Sequence, residues 1–142
     1  MYSWSERLDI AILNNDIANI NRLLHASQAY KTLDKVFIHS GPRKARHNGR
    51  LHIAAYSNSV KAAQILIQYG EDVNSRNCIG DTPLHVAARY NAWETADLLI
   101  SCGAEVDIQN KDSQTPMDIA LSCGNHHLAE LLMLVQRQSM YG

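Results

Sequence analysis

An even repeat period constrains this chain more than any other feature of its sequence. His52 in RLHIAA, His85 in TPLHVAA (Thr82 to Ala88) and Asp118 in TPMDIA are equally spaced, at a period of 33. A second pattern keeps step with the first: QILIQYG from Gln64 to Gly70, DLLISCG from Asp97 to Gly103, and ELLMLVQ from Glu130 to Gln136. A weaker copy, LDIAILNNDIANINRLL from Leu8 to Leu24, opens the chain. A fixed period of this length is the mark of stacked repeats, in which no unit buries its apolar side until a neighbour covers it.

The clearest unit runs from Gly80 to Gly103. Thr82 has the chemistry of a helix N-cap, and Pro83 suits the first helical turn, where a missing N–H costs little. Leu84, Val86, Ala87 and Ala88 give a short apolar helix, broken at Asn91-Ala92. Ala96, Leu98, Leu99 and Ile100 give a second helix, and Gly103 supplies a left-handed stop. Helices this short do not stand alone in water. The 142 residues hold about four such units, above the three or so that a continuous core needs. The fold class is therefore all-α: a solenoid of stacked helix–turn–helix pairs.

The residues of TPLHVAA, of LLISCGAEVD (Leu98–Asp107) and of TPMDIA (Thr115–Ala120) resemble ankyrin repeats, and the resemblance covers nearly the whole chain. It implies hairpin-like fingers between the helix pairs and a role in binding other proteins, with no chemistry and no cofactor of its own. One domain, residues 1–142, is expected, with repeats at about 3–27, 47–77, 78–109 and 110–138.

Departures from the pattern are informative. Leu8 aligns with Leu51, a spacing of 43, so ten extra residues enter the first finger, within about 28–46. Net charge is −1, yet between Lys31 and Arg50 lie Lys31, Lys35, Arg43, Lys44, Arg46 and Arg50 against Asp34 alone. Three readings stand: a tolerated surface loop, whose extra length is entropically cheap; a basic finger of Arg43, Lys44, Arg46 and Arg50 for an acidic or phosphorylated partner; or a nuclear-localisation or nucleic-acid patch, which lacks an aromatic platform for bases.

The first repeat has a Ser3–Glu6 capping-box spacing, Asp16 as a second cap, and Asn19 and Arg22 where inner repeats are apolar, as a solenoid's polar end requires. The second repeat has Gly49-Arg50 in place of Thr-Pro, so its first helix is expected to start loosely. In the fourth, Asp118 replaces the motif histidine. Its last helix, with Leu131, Leu132, Met133, Leu134 and Val135, is unusually apolar. That helix is expected to fold back, or to be covered by further repeats of a longer chain, by a partner, or by a second copy.

Chemistry finds little support. His52 and His85 recur at the repeat period and read as buried structural ties. His126 and His127 point about 100° apart on a helix and rarely share an ion; no metal site is expected. No phosphate-cradling glycine loop or hydrolase motif is present. No run of 18 apolar residues suggests a membrane span. MYSWSERLD lacks an apolar leader, and Cys78, Cys102 and Cys123 are odd in number and unpaired in spacing. An intracellular chain, cytoplasmic or nuclear, is the expectation.

What remains is surface. The resemblance points to finger tips and the exposed side of the first helices: Tyr56, Ser57 and Tyr69; Cys78, Ile79, Asp81, Arg89 and Tyr90; Lys111, Asp112, Gln114, Ser122 and Cys123. Tyr56 and Tyr90 are expected to meet on adjacent repeats, flanking Arg89, with Trp93 bordering them; tyrosine, tryptophan and arginine dominate binding hot spots. The leading function is a non-enzymatic scaffold, adaptor or inhibitor that binds a partner protein. The alternatives are nucleic-acid or anionic-lipid binding through the basic finger, which predicts a steep loss of affinity with salt, and a spacer within a larger protein.

Overall fold

The first helix of each repeat starts where a side chain can close it. A computed structural model describes residues 3–26 and 48–141 of the chain. The helices are α1 (Trp4–Leu13), α2 (Ile17–Ala26), α3 (Arg50–Tyr56), α4 (Val60–Gln68), α5 (Pro83–Tyr90), α6 (Trp93–Ser101), α7 (Pro116–Ser122) and α8 (His126–Tyr141). No strand occurs among the described residues. Reciprocal capping boxes start α1 (Ser3 with Glu6), α5 (Thr82 with His85) and α7 (Thr115 with Asp118). Each satisfies two N–H groups that a helix start leaves orphaned. Asp16 caps α2 by accepting from the Asn19 N–H at 3.2 Å. The looser start foreseen for α3 is only half right: Gly49 has no side chain to contribute, but its N–H is held by His52 Nδ1 at 3.2 Å.

The tight turns between paired helices use asparagine. Asn15, Asn58 and Asn91 have φ of 53°, 50° and 54°, a left-handed conformation that asparagine tolerates better than most residues. The aligned turn before α8 has Gly124, at φ 75°.

The odd-numbered helices form one layer, α1 on α3 on α5 on α7, and each packs against the second helix of its own repeat. Ala54, Ala55, Ala87, Ala88 and Ala120 line the first layer and are buried. Small residues let these first helices pack closely on one another, more extensively than the second helices do. Leu84 and Leu99 lie in one apolar core with Ala55, Ile119, Leu128 and Leu132. Leu8, Ile12, Ile20, Leu24, Leu51 and Leu66 form a second. Ile67 packs against both. Leu8 and Leu51 thus share a core despite their wide separation in sequence, with α1 directly on α3. The last helix does not fold back: α8 runs unbroken to Tyr141 and leaves Met133, Leu134, Met140 and Tyr141 exposed.

Candidate functional site

The fingers are built on two asparagines, Asn77 and Asn110, that stand one full repeat apart. Asn77 Oδ1 accepts from the N–H groups of Ile79 (3.1 Å) and Asp81 (2.9 Å). Asn110 Oδ1 accepts in the same way from Asp112 and Gln114, both at 3.0 Å. Their amide NH2 groups reach back 29 residues, Asn77 to Asn48 Oδ1 at 2.8 Å and Asn110 to Asp81 Oδ1 at 2.9 Å. The motif histidines reach forward by the same interval. His52 Nε2–H donates to the Asp81 carbonyl at 2.8 Å, and His85 Nε2–H to the Gln114 carbonyl at 2.9 Å. A carbonyl only accepts, so Nε2 carries the proton and Nδ1 is left to accept from the N–H of Gly49 or Thr82. Burial holds both imidazoles below the usual histidine pKa. These groups are struts, and each fixes a finger to the helix of the preceding repeat. The strut asparagines escape a reading centred on apolar residues, although their recurrence at the repeat period was visible.

This framework sorts the finger residues. Cys78, Lys111 and Asp112 are exposed, as a tip requires. Ile79 is half-buried, and its carbonyl accepts from the Lys111 N–H at 3.0 Å, finger to finger. Gln114 is half-buried, with its carbonyl on His85. Asp81 corrects the sequence reading. It is 0% exposed, because its carboxylate takes Asn110 on one oxygen and Arg89 Nη1, at 2.7 Å, on the other. It is therefore no contact residue for a partner. Arg89 is correspondingly half committed: one edge of its guanidinium closes that buried pair.

At the C-terminal ends of α3 and α5 the rings of Tyr56 and Tyr90 meet edge to face, with centroids 4.7 Å apart and planes at 77°. They remain 53% and 48% exposed. Such a pair gains on the order of 1 kcal/mol beyond area burial, so each ring is held in place while presenting half of its surface. Ser57 is half-buried, its hydroxyl donating to the Ile53 carbonyl at 3.0 Å. At the end of α7, Ser122 and the C-cap residue Cys123 occupy the aligned positions and are exposed.

Other candidates lie elsewhere. Tyr69 caps the C-terminus of α4 in the second layer, where its ring meets His25 of α2 edge-on at 6.1 Å; it does not join Tyr56. Trp93 begins α6 and lines an open groove of about 540 Å³ with Asn91, His127, Glu130, Leu131 and Leu134. Arg50 is another correction. Expected in the basic finger, it is buried in α3, its Nε 3.3 Å from Asp9, its Nη2 donating to Ser5 Oγ, and its guanidinium over the Trp4 ring. It fastens the first repeat to the second. Arg43, Lys44 and Arg46 lie outside the described residues. Among the described residues, no helix is long and apolar enough to cross a membrane, and no group of three or more acidic, histidine or cysteine side chains is placed to hold a metal.

A family model for ankyrin repeats, three copies long, matches residues 8–110 and again 51–139. The chain belongs to the ankyrin-repeat family. Ankyrin repeats are in general protein–protein interaction modules, and their domains are typically non-catalytic. No curated protein matches the chain. In this ankyrin stack the histidine and asparagine struts belong to the scaffold. The tyrosine pair and the finger residues Cys78, Lys111 and Asp112 are exposed on it.

Proposed function

We propose that this ankyrin stack is a non-catalytic adaptor or inhibitor. It holds a partner protein across the exposed ends of α3 and α5 and the tips at Cys78, Lys111 and Asp112. The observation that carries this reading is the Tyr56–Tyr90 pair. Two large rings from adjacent repeats are pre-organised by each other and half exposed. Covering them releases water from apolar surface at little cost in side-chain entropy. Arg89, next to Tyr90 in sequence and half-buried, is tied to Asp81 and adds a fixed guanidinium edge to this part of the surface. The burial of Arg50 on Asp9 removes one of the four cations on which nucleic-acid or anionic-lipid binding through the basic finger would depend.

The test is affinity capture from cell lysate with the wild-type chain and Y56A/Y90A side by side. Calorimetry then follows with whichever protein is retained. The double variant is expected to keep its circular dichroism and to lose more than about tenfold in affinity. Equal affinity for the retained protein rejects this face as the binding surface.

A further inference from the structure

The outer face of α8 carries an order of side chains that suits its own reversal. Residues seven apart on a helix return to nearly the same direction, drifting by only about 20°. Glu130 and Arg137 therefore share a face, separated by about 10.5 Å along the axis. Leu134 lies between them, and Leu128, Ala129 and Leu132 point the other way into the core. Read along the helix, this face is acidic, apolar, basic. Leu134 is 57% exposed and Tyr141, two turns on, 90%. Beside them lies the groove between Trp93 of α6 and Leu131 of α8.

We propose that this face pairs with the same face of a second copy of the chain, the two α8 helices running antiparallel about a two-fold axis between residues 133 and 134. In that arrangement Glu130 of each copy comes level with Arg137 of the other. A two-fold axis keeps both residues on the same edge of the interface, so two ion pairs form. Leu134 meets its own counterpart between them. Met140 of the second copy comes level with His127, at the mouth of the Trp93 groove, and Tyr141 with His126. A parallel pairing would set Glu130 on Glu130 and Arg137 on Arg137, so the charges select the antiparallel form. An interface of this kind is isologous and closes at two copies. It covers the apolar end of α8 and leaves the Tyr56–Tyr90 face on another part of the stack.

Sedimentation equilibrium of the full chain tests this. The wild type is expected to be a dimer. E130R and R137E, each of which places like charges opposite one another, are expected to weaken it by at least about tenfold. The double reversal E130R/R137E restores opposite pairs and is expected to recover the wild-type association. Circular dichroism checks that each variant folds, and L134S supplies an uncharged disruption of the same face. A wild-type chain that is monomeric up to about 1 mM overturns the proposal. So does a dimer indifferent to the single reversals and L134S, or a double reversal that fails to recover.

Discussion

The imidazole of His85 donates to the backbone carbonyl of Gln114, 29 residues ahead, and thereby ties one repeat to the base of the next finger. The other ring nitrogen accepts from Thr82 and closes the cap of its own helix. One buried side chain thus serves both the local fold and the stacking. His85→Ala strands one buried and one half-buried backbone group and opens a cavity, and is expected to cost about 2–4 kcal/mol in urea unfolding. At the aligned position of the fourth repeat, Asp118 closes only its own cap and is exposed. Asp118→His is therefore expected to change stability by less than about 1 kcal/mol.

The same histidines set an acid limit. Burial is the largest cause of their lowered pKa. In the unfolded chain each takes up a proton near its ordinary value of about 6.5, while the folded chain resists. The unfolded state then binds more protons, so stability falls as pH drops through that value. It levels off only below the folded-state pKa. Two such groups give a slope of at most about 2.7 kcal/mol per pH unit. Above about pH 7.5 both are neutral in either state and contribute no slope. Urea midpoints between about pH 5.5 and 8 are expected to decline toward acid in the wild type. The decline is expected to be shallower in H52Q/H85Q.

Gly80 sits at φ +79°, and a Cβ built there would lie 3.0 Å from the Lys111 backbone nitrogen and 3.2 Å from Asn110 Cα. Neither atom is free to move, because Lys111 N–H is bonded to Ile79 across the fingers. Gly103, at φ +92°, has open space around it. Gly103→Ala carries the backbone penalty alone, about 1–2 kcal/mol. Gly80→Ala adds a clash and is expected to cost at least about 1 kcal/mol more. Thermal unfolding of the two variants side by side measures the difference.

Removing Arg89 leaves the buried Asp81 carboxylate with only the Asn110 amide on its side-chain oxygens among the bonds described above. Breaking a buried ion pair from one side typically costs about 3–5 kcal/mol. Arg89 keeps some solvent contact, so Arg89→Ala is expected at or just under the lower end of that range, about 2–3 kcal/mol. Asp81→Ala, which also abandons Asn110, is expected to cost more. A double-mutant cycle over Arg89 and Asp81 is expected to show strong coupling, since each single change removes the same bond.

The stack was legible because its signals repeat. Thr-Pro starts, the Leu-His-x-Ala core and the glycine stops recur from one unit to the next, and each has a local mechanical cause. Ring contact between Tyr56 and Tyr90 followed from the same count, since adjacent repeats place residues about one period apart side by side. The burial of Asp81 and Arg50 was not legible. Both are charged, and a charged residue next to a turn reads as solvent-facing until its partner is known. Those partners, Arg89 with Asn110 for one and Asp9 with Ser5 for the other, depend on the packing of separate helices. The extent of α8 was hidden too, because an apolar run from Leu131 to Val135 does not say where the helix ends.

The packing of α1 on α3 has a practical side. Leu8 with Leu51, Arg50 with Asp9, and the Ser59 hydroxyl on the Ile12 carbonyl, 3.1 Å apart, join the first helical pair to the remainder through side chains. None of these contacts requires an unbroken peptide chain between the two pieces. Fragments cut after His47, once mixed, are expected to find each other and rebuild the interface, which would turn this chain into a two-part complementation reporter.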